Sequence, residues 1–145
     1  MPWVVDTCVL IDILRGDNQF AVLSAAALQS KLHETLTIAP LTYVELSPEF
    51  NGDATAQNEF LDSIWVHRDF GGNGDAVLEA HRAWNEHVLR KRSGLDRKRP
   101  IADILIGAYA LTKGGLITRN ESDFRALYPS LRILNPIYST TTTPI

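Results

Sequence analysis

The sequence predicts an α/β fold with a largely parallel sheet, and two observations carry this. Short apolar strand candidates alternate with helical stretches along the whole chain, the pattern of repeated βα units. At 145 residues, 45% hydrophobic and 21% charged, the chain also has the size and composition of one ordinary globular domain with one core.

The elements follow in order. Trp3, Val4 and Val5 are large and apolar, two of them β-branched, and read as a short buried strand. Cys8 to Leu14 is densely apolar and helical, ending near Arg15–Gly16. Phe20 to Leu32 is rich in Ala and Leu and reads as a second helix. Leu36–Ala39 is a strand candidate closed by Pro40, and Leu41–Leu46 opens a helix that Pro48 limits. Ala54–Ile64 is helical and Trp65–His67 a strand. The loop "GGNG" at 71–74 leads into a long amphipathic helix over 75–92. Ile101 to Lys113 is a strong helix, with Pro100 suited to its first turn and Gly114–Gly115 beyond it. Leu116–Thr118, Asp123–Leu127 and Leu131–Leu134 complete the pattern as strand, short helix and strand. Residues 1–136 form a single domain. Residues 137–145, a polar, β-branched tail, are either disordered or strapped onto a neighbour.

Bulk properties narrow the function. A net charge of −3 gives no global basic field for nucleic acid. No signal-peptide pattern is present, and no apolar run approaches the ~18–20 residues of a membrane span. One cysteine, Cys8, allows no internal disulfide, which suits a reducing cytoplasm; it reads as a small packed core residue. The four histidines show no metal-ligand spacing and read as surface or partly buried. Trp65 and Trp84 read as core or interface.

The chemistry lies in the acids. Asp6 sits against the end of a buried strand, where ligand sites of open parallel sheets form. A carboxylate there needs a partner or a metal. Glu45 lies in what reads as the first turn of the helix after the second strand, Asp103 in the first turn of "PIADILIGAYAL", and Asp123 in "ITRNESDF", just past a strand. Each has a plain structural reading too. Thr42 to Glu45 matches a capping box, Asp103 complements a helix dipole, and Asn120 or Ser122 caps a helix with Asp123 in its first turn. Asp12 reads as a helix-side residue. As a group, the acids would require a cation, and an all-oxygen set favours Mg²⁺ or Mn²⁺ over zinc. Six of the 14 Lys and Arg residues, Arg90, Lys91, Arg92, Arg97, Lys98 and Arg99, crowd ten positions around Gly94. They form either a phosphate-contacting edge or a solvated loop. Arg119 either contacts a phosphate or pairs with an acid.

The stretches "VVDTCVLIDILRG", "TYVEL", "PIADILIGAYAL" and "LITRNESDF" resemble, in order and spacing, the successive motifs of the PIN domain, and most closely VapC-type toxins of toxin–antitoxin pairs. The likeness spans roughly residues 3–136. It implies a three-layer α/β/α sandwich with a mainly parallel sheet, Mg²⁺- or Mn²⁺-dependent cleavage of RNA phosphodiesters, a homodimer, and a protein antitoxin that blocks the site. Carried over by motif position, Asp6, Asp103 and Glu45 are the metal-site and catalytic acids. Asn120 and Asp123 share the fourth position, and Thr7 supports the site. Pro48 departs from the uninterrupted helix of that pattern.

Two alternatives stand beside this. A PIN-like module without catalysis would bind RNA or protein through the same fold. Another α/β class, a phosphotransfer receiver or an Asp-nucleophile phosphatase, fits Asp6 but lacks its further residues; Cys8 stands where such a phosphatase carries a second Asp. No G-x-x-x-x-G-K loop is present.

Overall fold

The computed structural model describes residues 1–71, 78, 81, 85, 89, 100–138 and 141–142. The first strand, β1 (Trp3–Val5), runs into α1 (Thr7–Arg15), and α2 is Ala21–Ser30. Then come β2 (Leu36–Ile38), α3 (Pro40–Glu45), α4 (Ala54–Ser63) and β3 (Val66–Arg68). After residue 100 follow α5 (Pro100–Leu111), β4 (Gly115–Ile117), α6 (Glu121–Leu127), β5 (Ile133–Leu134) and β6 (Thr141–Thr142). The strands form one sheet in the order β3-β2-β1-β4-β5-β6. Every neighbouring pair is parallel except β5 and β6.

The strands β1, β4 and β5 are apolar on both faces, as a sheet covered on both sides requires. Trp3 and Val5, with Leu36, Ile38, Ile117 and Leu134, pack under α1, α2 and α4. Val4, Leu116 and Ile133, one step out of phase, pack against Ile106 and Ala110 of α5 and Phe124 of α6. These are two cores on opposite faces of one sheet, the predicted three-layer sandwich. Trp3 faces Gly115 across the β1–β4 pair. A Cβ at Gly115 (φ +154°) would lie 2.6 Å from the Trp3 ring and 2.8 Å from the Arg132 carbonyl oxygen, so only glycine fits there.

Strand order reverses at β1. The chain steps from β1 to β2 to β3 in one direction, then returns to place β4 on the other side of β1. The carboxyl ends of β1 and β4 therefore flank a topological switch point, where open α/β sheets form their ligand crevice.

Five expectations are corrected in whole or in part. Glu45 is the last residue of α3, not part of a first turn, because Pro40 starts the helix two residues after β2 and a 3-10 turn over Ser47–Phe50 takes over directly. Its capping-box reading falls with that: Ala39 is the N-cap, and Thr42 is a buried mid-helix residue. Thr141 and Thr142 of the tail pair antiparallel with β5, extending the sheet instead of leaving it; β-branched residues suit the unpaired edge that β5 presents. Trp65, read as core or interface, is 69% exposed, which removes the core half of that reading; its backbone is held at φ +62° between α4 and β3. His81 is fully buried, its ring 5.0 Å from that of Tyr43. Of the long helix expected over 75–92, residues 78, 81, 85 and 89 are helical and the rest lie outside the described residues.

Candidate active site

Asp6 is the first residue past β1. Its N–H still belongs to the sheet, donating to the Ile117 carbonyl at 2.9 Å. Its backbone is extended (φ −72°, ψ 151°), and its side chain caps α1, with Oδ1 accepting from the Thr7 N–H at 2.8 Å. Oδ2 accepts from the Thr118 hydroxyl at 2.7 Å and from the Cys8 thiol at 3.4 Å. The residue is only 4% exposed.

Burial pushes the Asp6 carboxyl above its ordinary value of 3.8. The Thr118 hydroxyl, the Cys8 thiol, the Thr7 N–H and the Arg119 charge all pull the other way without overcoming it. Burial, and after it the Asp6 charge, pushes the Cys8 thiol up. Cys8 therefore stays a neutral S–H donor, and is a partly buried polar neighbour of Asp6 as much as a packing residue.

Thr7 ties Asp6 to Glu45. Its hydroxyl lies 2.8 Å from Glu45 Oε1 and 3.1 Å from Thr42 Oγ1. One hydroxyl proton serves one acceptor, so Thr7 donates to the carboxylate and accepts from Thr42. This bond matters more because Glu45 ends its helix, where the dipole disfavours an anion. Asp6, Thr7, Glu45 and Thr118 thus form one connected group at the carboxyl end of the sheet.

Two further candidates lie at the starts of α5 and α6, the helices on the sheet face opposite α1 and α2. Asp103 lies in the first turn of α5, which packs against α3, α6 and β4. Asp123 lies in the first turn of α6, whose N-cap is Asn120. Asn120 is exposed and makes no side-chain cap bond; its N–H donates to Thr118 Oγ1 at 3.0 Å. Arg119 makes the ion pair that was one of its two readings. Its Nε and Nη2 hold Asp12 at 2.5 and 3.0 Å, and Ser24 adds a third donor to that 5% exposed carboxylate. Asp12 is thereby a buried anchor between α1 and the end of β4. Arg90, Lys91, Arg92, Arg97, Lys98 and Arg99 lie outside the described residues.

The donor set, carboxylates and hydroxyls, has the chemistry of a hard divalent cation, and a buried carboxylate that neutral donors leave above its ordinary value is one that a cation would suit. Among the described residues, no group of three or more His, Cys, Asp or Glu side chains is arranged to hold a metal ion. No described helix is long and apolar enough to cross a membrane.

Thr118 is the site residue that sequence reasoning overlooked. A threonine ending an apolar strand reads as a β-former, and nothing local marks its hydroxyl as a partner for an acid far earlier in the chain. The available signal was the strand order: parallel strands flanking a switch point bring their first post-strand residues together. The chain matches no protein-family model, no curated protein and no solved structure.

Proposed function

We propose that this chain is a Mg²⁺- or Mn²⁺-dependent endoribonuclease, the toxin of a toxin–antitoxin pair, acting in the cytoplasm as a homodimer that a cognate antitoxin silences. The observation that carries the reading is Asp6: a buried carboxylate at the switch point, held by three neutral donors and linked through Thr7 to Glu45. Asp6 and Asp103 would hold the cation, with Glu45 and one of Asn120 and Asp123 completing the set. When bound, such an ion supplies charge neutralisation at a phosphodiester and activation of water. The chain's own residues prepare the site. Thr118 and the Thr7 N–H fix the Asp6 carboxylate in one orientation, and the Thr7 hydroxyl holds Glu45 Oε1. The PIN resemblance of the four motifs supports the same reading.

The test is cleavage of RNA by purified protein in Mg²⁺ or Mn²⁺, with a chelator control and Asp6→Asn beside wild type. Wild type cleaves and the folded variant does not; equal cleavage by both removes Asp6 from the mechanism. Growth arrest on expression, relieved by a small protein encoded next to the toxin, tests the biological role. The competing reading, a PIN-like module that binds RNA or protein without cutting, is favoured by the lack, among the described residues, of three acids within reach of one ion. RNA binding with no metal-dependent cleavage would decide for it.

A further inference from the structure

A cavity of about 260 Å³ opens beside the candidate site, lined by Cys8, Ile11, Asp12, Arg15, Asp17 and Arg119. It adjoins Asp6 directly, since the Cys8 thiol in its wall donates to Asp6 Oδ2. The volume falls just under the ~300–1,000 Å³ of typical small-molecule sites, room for one compact ring system.

Its polar groups are held and only partly used. Glu49 grips Arg15 through Nε and Nη2, and Asp12 grips Arg119 the same way. Among the described residues no hydrogen bond is made by either Nη1, so with the second Nη2 hydrogen each guanidinium keeps three of its five N–H donors. The Arg119 guanidinium also lies 4.1 Å over the Phe20 ring, which fixes its plane. Asp17 is the complement. Its Oδ1 takes the N–H groups of Gln19 and Phe20, both at 2.9 Å, while among the described residues no hydrogen bond reaches its Oδ2, and its charge is one of those that raise the Arg119 pKa. Charge argues against a phosphate here. The two guanidiniums are already paired with Asp12 and Glu49, and Asp17 adds a further carboxylate. What suits the cavity is a flat, neutral group with acceptors on one edge and donors on the next.

We infer that this cavity is a nucleobase subsite selective for guanine next to the scissile phosphate. Guanine offers O6 and N7 to guanidinium donors and N1–H and N2–H₂ to a carboxylate. Adenine has no acceptor at position 6, and the pyrimidines lack the second ring. The inference rests on the nuclease reading for its biological sense but not for its test.

Asp17→Asn is the informative variant. It keeps Oδ1 for the two N–H groups and so preserves the turn before α2, while an amide donor replaces the free acceptor. Titration calorimetry with guanosine, inosine, adenosine, cytidine and uridine 5′-monophosphates, without divalent metal, reads binding apart from cleavage. Wild type should favour the guanosine nucleotide over each other base by roughly tenfold, the scale of one bidentate base contact. Inosine, which lacks N2–H₂, should bind more weakly than guanosine, and Asp17→Asn should erase that gap. Equal affinity for all bases, no measurable binding, or an unchanged preference in Asp17→Asn would overturn the inference. Guanine-selective binding without RNA cleavage in Mg²⁺ or Mn²⁺ would uphold the subsite and defeat the nuclease reading alone.

Discussion

Thr118 and Asp6 are 112 positions apart and share a 2.7 Å hydrogen bond between two fully enclosed side chains. The bond joins the first residues beyond two adjacent parallel strands, so it sets the geometry of the switch point. Thr118 also accepts the Asn120 N–H, which ties the start of α6 to the same spot. Thr118→Val keeps the shape and removes both roles. The Asp6 carboxylate loses its closest donor, and its pKa should rise further. The expected loss is about 1–3 kcal/mol of stability, the range for a buried polar group left unsatisfied. Thr118→Ser should stay near wild type. Urea unfolding of the three proteins checks the order, and a valine variant as stable as wild type would show the bond to be dispensable.

The raised pKa of Asp6 makes a second prediction, for protein kept free of divalent ions. The folded state holds the Asp6 proton more tightly than the unfolded chain does, whose ordinary value is 3.8. Stability from this group is then fully present below that value and is lost as pH rises through the raised folded-state value. Asp6→Asn has no charge to desolvate. Its stability relative to wild type should improve as pH climbs through that window, and near neutrality it should melt at or above the wild-type temperature in chelator. Adding Mn²⁺ should stabilise wild type and leave the variant unmoved, because only a state that binds the ion is stabilised by it. Denaturant midpoints across pH, with and without Mn²⁺, measure both effects.

These two residues also mark how far the sequence could be read. The order of strands and helices was legible because Trp3–Val5, Leu36–Ile38 and Gly115–Ile117 are mostly apolar and followed by helix starts. Asp6 was legible as a misplaced acid at a strand end. Glu45 was recognised as a site candidate but placed wrongly, since two prolines compress α3 to six residues and push Glu45 to its end. Thr118 and the buried Asp12–Arg119 pair depend on which strands become neighbours. Periodicity carries no such information, because it describes each element alone. The edge strand at Thr141–Thr142 depends likewise on β5 leaving a free edge.

His81 gives a third prediction on the acid side. It is 2% exposed, and its Nε2 lies 2.6 Å from Gln57 Oε1. Gln57 Nε2 donates to the Tyr43 carbonyl, so Oε1 is the acceptor end and His81 must carry the proton on Nε2 as a neutral ring. Burial lowers its pKa below the ordinary 6.5. In the window between the two values the unfolded chain binds a proton that the folded chain refuses, so stability rises with pH and is lost on acidification below 6.5. Unfolding midpoints from about pH 7.5 down to about pH 5 should fall for wild type and fall less for His81→Gln, which can still reach Gln57 but does not titrate. Parallel slopes for the two proteins would assign the acid sensitivity to other groups.

The Asp12–Arg119 pair supports the last prediction, which separates positioning from stability. Arg119→Ala leaves the Asp12 carboxylate buried with only the Ser24 hydroxyl, a 3.3 Å bond. Removing one partner of a buried pair costs about 3–5 kcal/mol, and the low end applies because Arg119 keeps 24% of its side chain in contact with solvent. The double variant Asp12→Leu with Arg119→Met removes the orphaned charge along with the pair. It should recover most of that loss, since apolar replacements of similar volume are often neutral. What it cannot recover is the anchor: Arg119 follows Thr118 directly, and the pair pins the end of β4 to α1, the helix that Asp6 caps. The double variant should therefore unfold near wild type in urea yet bind Mn²⁺ more weakly, while Asp12→Glu with Arg119 intact keeps both properties closer to wild type. A double variant with restored stability and unchanged Mn²⁺ affinity would reduce the pair to a structural contact.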